Sequence, residues 1–181
     1  MGSPPGILRS KLQIRRLLVS AIFAAATILP GYAVAKGRQK ELKSPDGKLV
    51  AIVVPADKEK GFEEYESRIL ILRSGGAQIS MHDFSSEDGE HGYGVVGARW
   101  TPDSQYFVCR MRNSGGHSPM YDPVVFWSRK KNHFDQLKAY TADRTFRIAA
   151  PDKVFVESWP DLQPATVALG SVKKSQVTEL R

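Results

Sequence analysis

Imidazole and carboxylate side chains, the groups best suited to metal binding or acid–base chemistry, concentrate in one short stretch. The stretch from His82 to His91 reads HDFSSEDGEH, and His117 lies further along the chain. Such groups bind zinc when a fold brings three or four of them together. The spacing of nine residues between His82 and His91 matches no metal motif. The pattern favours a solvated acidic loop over a metal site formed by His82, His91 and His117.

Paired carboxylates offer a second chemistry, the hydrolysis of glycosidic bonds. Asp83 with Asp88, or Glu63 with Glu64, supplies such a pair, but the reaction needs a fixed separation across a cleft, which a sequence does not define. The sequence contains no G-x-S-x-G, H-E-x-x-H, P-loop or C-x-x-C motif. This favours a protein without catalytic activity and without a cofactor, and a hydrolase built on the 82–91 loop with His117 is the alternative.

The first 35 residues have the organisation of a secretory signal peptide. Basic residues and no acid precede Leu17, an apolar run extends from there to Leu29, and Ala33-Val34-Ala35 is a small-x-small cleavage site. The apolar run is shorter than the ~20 residues that cross a bilayer, so cleavage is favoured over an uncleaved anchor. We therefore expect an exported protein, periplasmic or secreted, with a mature chain of residues 36–181 and no stable membrane span.

Charge and cysteine content narrow the classes of partner. The net charge of the 181 residues is +7, but four of the 26 basic residues and none of the 19 acidic ones lie in the leader, which leaves +3 on residues 36–181. This balance, together with export, argues against a nucleic-acid partner. Cys109 is the only cysteine. It excludes an internal disulfide, and its place in an apolar run predicts a buried thiol rather than a nucleophile.

Apolar, β-branched runs between turn residues predict antiparallel strands along the mature chain. The predicted strands are Leu49–Val54, Arg68–Arg73, Ala77–His82, Val95–Trp100, Tyr106–Met111, Val124–Trp127, His133–Tyr140, Arg144–Ala149, Val154–Trp159 and Ala165–Val172. Leu49–Val54 is apolar at every position, which predicts burial on both faces. Lys36–Lys43 and Lys173–Arg181 are polar and predicted to lie outside the sheets. The fold class is therefore all-β and antiparallel.

One unit of turn and strand occurs twice. Trp100-Thr101-Pro102-Asp103-Ser104 precedes one strand, and Ser44-Pro45-Asp46-Gly47-Lys48 precedes another, and Thr101 lies 57 positions after Ser44. A fainter third copy lies at Ala150–Val156. Periods in this range are typical of propellers and arrays, in which each unit is one small sheet.

These residues resemble the W-S-P-D-G-K-x-L-A signature of TolB-type β-propeller repeats, which also occur in the propellers of prolyl-oligopeptidase-like proteins. Ile69–Leu72 followed by Gly75-Gly76 is similar to the third strand and turn of that repeat. The resemblance implies one all-β domain, residues 36–181, with blade-like repeats at about 41–97 and 98–143 and a C-terminal hairpin. It departs from the signature at Leu42, near the place of the first Trp, and at Ser104, in place of the second Gly.

A closed propeller has 4–8 blades, which is more than the two blade-like repeats that the resemblance implies. The blades can instead form a partial propeller or a two-sheet sandwich, or complete a ring as structural subunits of an oligomer. A compact monomer is favoured, and a homo-oligomer is the alternative.

The resemblance and the missing catalytic motifs favour a non-catalytic binding module. Long loops on a rigid β scaffold are the usual place for binding residues. We therefore predict that loops at equivalent places in the two repeats contact a partner, which is another envelope protein or a component of the cell envelope. The predicted contact residues are Tyr65, His117, Met120 and Tyr121.

Overall fold

The computed structural model describes residues 39–56, 66–115, 122–141, 146–158 and 163–180. Those residues form twelve β-strands and two single turns of 3₁₀-helix. The strands are β1 Lys40–Lys43, β2 Leu49–Pro55, β3 Ser67–Arg73, β4 Gln78–Asp83, β5 Tyr93–Trp100, β6 Tyr106–Asn113, β7 Asp122–Ser128, β8 His133–Thr141, β9 Ile148–Ala149, β10 Lys153–Ser158, β11 Gln163–Ala168 and β12 Val177–Glu179. The 3₁₀ turns are Leu169–Ser171 and Lys174–Gln176. All strand pairs are antiparallel, so the predicted fold class is confirmed.

The strands β1 to β4 form a meander with a buried inner face. Leu49, Ala51 and Val53 of β2 are buried, whereas the residues between them are partly exposed. Ile69 and Ile71 of β3 continue the buried face, because directly paired residues project to the same side of a sheet. The expectation that β2 is buried on both faces is wrong. An apolar residue at every position does not reveal whether a second layer is present to cover the other face.

The strands β5 to β8 form a second meander, and this one is buried on both faces. Trp100, Phe107 and Trp127 pack against the inner face of the first sheet in one hydrophobic cluster. Val108 and Phe126, on the opposite face, pack against the C-terminal strands in a second cluster. The second meander is therefore the middle layer. The C-terminal strands join its sheet through one residue pair of β10 with β8, in the order β11-β10-β8-β7-β6-β5, and their apolar side chains pack over its second face.

Cys109 belongs to the first cluster and is buried, as predicted. Burial raises the pKa of its thiol far above the usual range, because a thiolate loses its hydration in an apolar core. The side chain therefore serves as a small core residue.

The segments at the edges of the sheets differ most from the prediction. The expected hairpin between residues 144–149 and 154–159 is reduced to two residue pairs, and β10 pairs along its whole length with β11 instead. The polar segments expected to lie outside the sheets each contain a strand, since β1 pairs with β2 and β12 pairs with β8. Backbone hydrogen bonds to an available edge order these segments, and such bonds do not depend on apolar side chains.

The two Pro-Asp turns are fixed by the same hydrogen bonds. The hydroxyl of Ser44 accepts from the backbone N–H five residues later at 3.0 Å and donates to the carboxylate of Asp46 at 2.7 Å. The hydroxyl of Thr101 does the same at 3.1 Å and donates to Asp103 at 2.6 Å. Each Asp also accepts from the N–H two residues later. The repetition seen in the sequence is thus present in the geometry of the turns.

Several contacts join the two meanders where these turns lie, which we name the turn end, and three of them involve residues in or beside the two turns. The N–H of Asp46 donates to the hydroxyl of Ser104 at 3.0 Å, and the indole of Trp100 donates to the carbonyl of Leu42 at 2.8 Å. The guanidinium of Arg129 donates to the carboxylate of Asp46 at 2.7 Å. That last hydrogen bond is the main reason why the pKa of Asp46 lies well below its usual range.

The third Pro-Asp turn has a different hydrogen-bond pattern. Its Ala150–Pro151 peptide bond is cis. The carboxylate of Asp152 accepts from the N–H of Gly170 at 2.6 Å, whereas the other two aspartates bond their own turns. A Cβ at position 170 would lie 2.9 Å from that carboxylate, so a glycine permits the close approach.

We expect Ser44→Ala to lower the free energy of unfolding by about 1–3 kcal/mol, because a buried N–H loses its acceptor. Ser44→Thr is the matched control, since the second turn uses threonine at the same place, and its stability should remain close to that of the wild type. Urea denaturation measures both. Equal stability of the Ser44→Ala and wild-type proteins would contradict the role given to this hydroxyl.

Candidate binding cleft

The opposite end of the layers, where β2, β4 and β6 finish and β3, β5 and β7 begin, is the loop end. The segments 57–65 and 116–121 connect strands that finish and begin there, but they lie outside the described residues. These segments contain all the predicted contact residues, Tyr65, His117, Met120 and Tyr121. Within the described residues, the loop end consists of the strand ends and the loop between β4 and β5.

Glu66 is a buried carboxylate that fixes this loop. Its oxygens accept from the N–H and the hydroxyl of Ser86 at 2.7 and 2.5 Å, from the N–H of Gly92 at 2.5 Å and from the hydroxyl of Ser114 at 2.9 Å. Burial acts to raise the pKa of Glu66, but these hydrogen bonds outweigh burial and hold the pKa below its usual value. The ionised carboxylate thereby joins β3, the loop and the end of β6.

Gly92 is required by this arrangement for a steric reason. A Cβ at position 92 would lie 2.4 Å from the carboxylate of Glu66 and 2.5 Å from the carbonyl oxygen of Phe84. Both distances are shorter than any real contact of a Cβ atom. Only a glycine lets the loop backbone reach the carboxylate.

Asp88 organises the exposed part of the same loop. Its carboxylate accepts from the N–H of Glu90 at 2.9 Å, from the hydroxyl of Ser86 at 2.8 Å and contacts Nδ1 of His91 at 2.5 Å. These contacts hold the pKa of Asp88 well below its usual range, and the carboxylate in turn raises the pKa of His91. The acidic loop is thus internally hydrogen-bonded rather than simply solvated.

A cleft of about 280 Å³ opens between this loop and the strands β6 to β8. Its walls include the apolar residues Phe84, Met111, Pro123, Val125 and Leu180 and the polar residues His82, Ser86, His91 and Gln136. Met111 and Val125 are fully buried, whereas the side chain of His91 is largely exposed. The cleft therefore has an apolar base and a polar rim.

His82 contributes an aromatic wall to this cleft. Its ring centre lies 4.4 Å from that of Phe84 and 5.7 Å from that of Phe134. Burial lowers the pKa of His82, the neighbouring Asp83 opposes this effect, and His133 adds to it. The imidazole is therefore mostly neutral near pH 7, which suits packing against aromatic rings.

Of the three histidines in the metal hypothesis, the structure brings His82 and His91 to one cleft, and His117 lies outside the described residues. Within the described ranges, no group of three or more His, Cys, Asp or Glu side chains is placed to hold a metal ion. His91 is bound to Asp88 and His82 packs between aromatic rings. These residues therefore do not form a set of metal ligands.

The carboxylates considered for hydrolysis are engaged separately. Asp83 accepts from Nε of Arg68 on the adjacent strand at 2.7 Å, and Asp88 belongs to the hydrogen bonds of the loop. Glu63 and Glu64 lie outside the described residues. Asp83 and Asp88 thus serve to hold a strand pair and a loop.

Several residues of the site were not identified from the sequence. Glu66 lies at the end of a charged stretch that predicts a solvated loop, and a charged composition does not mark the one carboxylate that is buried. Gly92 and Ser114 are 26 and 48 residues away from Glu66 in the chain, so no local pattern connects them. Leu180 belongs to the segment predicted to be a polar tail.

Comparisons with known proteins do not assign this chain to a family. No protein-family model matches the sequence, and no curated protein matches it significantly. In the part of the chain that the structure describes, there is no helix of the length and hydrophobicity needed to cross a membrane.

The lowered pKa of His82 leads to a prediction about pH. Its neutral form is favoured by folding, so this stabilisation is fully present above the unfolded pKa of about 6.5 and is lost as the pH falls below it. We expect the melting temperature of His82→Phe to fall less between pH 7.5 and pH 5.5 than that of the wild type.

His91→Asn is the matched control, because the pKa of His91 is raised and its contribution has the opposite sign. That contribution is present at low pH and is lost as the pH rises, so the variant should show a fall at least as large as the wild type. Identical pH profiles for His82→Phe and the wild type would contradict the assignment.

Proposed function

We propose that this protein is an exported, non-catalytic binding module whose cleft at the loop end receives an apolar side chain of a partner. The partner class is another envelope protein or a peptide-bearing component of the cell envelope. The observation that carries the proposal is the cleft itself, with its buried apolar base and polar rim.

The size of the cleft suits a single side chain of a partner. Its volume of about 280 Å³ falls just below the ~300–1,000 Å³ of typical small-molecule pockets. Protein interfaces commonly centre on one aromatic or aliphatic anchor in a well-packed pocket. A cleft with Met111 and Val125 at its base and Gln136 on its wall suits such an anchor.

The hydrogen bonds beside the cleft favour binding over catalysis. The hydroxyl of Ser86, a serine on the wall of the cleft, bonds Glu66 and Asp88 and accepts from the backbone N–H of His91. A serine nucleophile instead needs its hydroxyl hydrogen-bonded to a general base such as histidine. The polar groups therefore act to fix the loop that forms one wall.

The repeated turns support the scaffold that this proposal assumes. The identical hydrogen bonds of Ser44 and Thr101 are compatible with two blade-like units of TolB type. In such a scaffold the two units supply rigid layers, and the unlike loops between strands supply the contacts. The mature chain is proposed to be residues 36–181.

The cleft is tested by capture from an envelope extract with the purified mature chain as bait. Gln136→Trp fills the cleft from its wall, and we expect it to lower the recovery of specific partners about tenfold or more. Thr166→Trp adds the same side chain at an exposed position of β11 and should capture the partners as the wild type does. Circular dichroism confirms that each variant is folded.

Equal capture by Gln136→Trp and the wild type would exclude the cleft. A double variant, Tyr65→Ala with Tyr121→Ala, separately tests the predicted loop residues. Loss of capture in that variant alone would move the binding surface from the cleft to the two loops.

Export is tested in a bacterial host with a general secretory pathway. We expect the full chain to be recovered outside the cytoplasm with Lys36 as its first residue, because the leader combines a basic region, an apolar run and a small-x-small site. A form that lacks residues 1–35 should stay in the cytoplasm. Recovery of the full chain in the cytoplasm at its uncleaved mass would contradict the proposal.

A further inference from the structure

The outer face of the first sheet is apolar and only partly covered. It is formed by Val50, Ile52, Val54, Leu70, Leu72 and Met81. Met81 is 50% exposed and is the one large hydrophobic residue with an exposed side chain in the described part of the chain. Neither of the hydrophobic clusters found among the described residues includes this outer face.

The second repeat contains the equivalent face, and there it is a packing surface. In the first meander, Ile52 of β2 pairs with Leu70 of β3. At the equivalent place in the second meander, Cys109 of β6 pairs with Val125 of β7. Cys109 and Val125 are both buried beneath the inner face of the first sheet. The outer face of the first sheet is thus equivalent to the face by which the second repeat packs against another sheet.

We infer that this outer face packs against the same face of a second copy of the chain in a two-fold dimer. The charged residues on the face are balanced in sign, since Arg68 and Asp83 pair with each other within one copy, and Glu41 and Lys43 add one charge of each sign. With equal numbers of each sign, the face meets its own copy without an excess of like charge. A two-fold contact pairs the patch with itself and closes the assembly.

The outer surface of the C-terminal strands disfavours head-to-tail stacking, in which the apolar face of one copy would lie on that surface of the next copy. The outer side of β10 carries Lys153, Phe155 and Glu157, because Val154 and Val156 point into the second cluster. The guanidinium of Arg147 also lies over the ring of Phe155, 4.9 Å from its centre. An apolar face placed on Lys153 and Glu157 would remove these charges from water and offer them no hydrogen bond, which is costly.

The size of the face predicts a weak, reversible dimer. Four strands about 4.8 Å apart, with about 3.3 Å for each of the seven residues of β2, give a face of roughly 19 by 23 Å. Its flat area of roughly 440 Å² per copy is smaller than the ~800 Å² per partner of a standard interface. The dimer should therefore dissociate on dilution.

Sedimentation over a wide range of protein concentration tests the dimer. The chain from Lys36 is suitable because both sheets and both clusters lie within residues 39–180. We expect the wild-type mass to rise from monomer to dimer with concentration, and Met81→Glu to weaken the dimer about tenfold or more, because a carboxylate would be buried in the interface. Thr166→Glu, at an exposed position of β11, is the matched control and should dimerise normally.

Two results would overturn the inference. One is a wild-type monomer at every concentration, as expected if another segment of the chain or a different partner covers the face. The other is a dimer that persists unchanged in Met81→Glu. Lys43→Glu provides a second variant that leaves the apolar face intact, and it should weaken the dimer at low salt and recover at high salt. The dimer does not depend on the cleft, so Gln136→Trp should still dimerise.

Discussion

The structure depends on one middle layer, the meander β5 to β8, that is buried on both faces. Its two faces divide the core, with Trp127 and Phe107 on one side and Phe126 and Val108 on the other. The first sheet and the C-terminal strands each bury only one face against it. A domain of this size gains most of its stability from such burial, and neither outer layer has a core without the middle one.

The two ends of these layers are built differently, and this difference bears on function. At the turn end, repeated side-chain hydrogen bonds and the contact of Arg129 with Asp46 hold the meanders in register. At the loop end, the buried carboxylate of Glu66 holds a long connection against strands of both meanders. The rigid turn end fixes the strands, and the loop end presents a cleft whose wall is fixed by one charge.

The proposed cleft and the proposed dimer face lie on opposite sides of the same sheet. His82, which lines the cleft, and Met81, which belongs to the outer face, are adjacent residues of the edge strand β4. Adjacent residues of a strand point to opposite faces. A dimer through the outer face therefore leaves the cleft of each copy accessible to a partner.

The sequence by itself determined the local structure of this protein. Apolar runs predict most of the strands, the Ser/Thr-Pro-Asp residues predict two equivalent turns, and the apolar run around Cys109 predicts a buried thiol. These features depend on neighbours in the chain, because strand periodicity and turn hydrogen bonds act over a few residues. Only the tertiary structure decided which sheet faces are covered, that Glu66 is buried, and that His82 and His91 border one cleft. Those properties arise from residues far apart in the chain, and composition does not reveal which distant surface meets which.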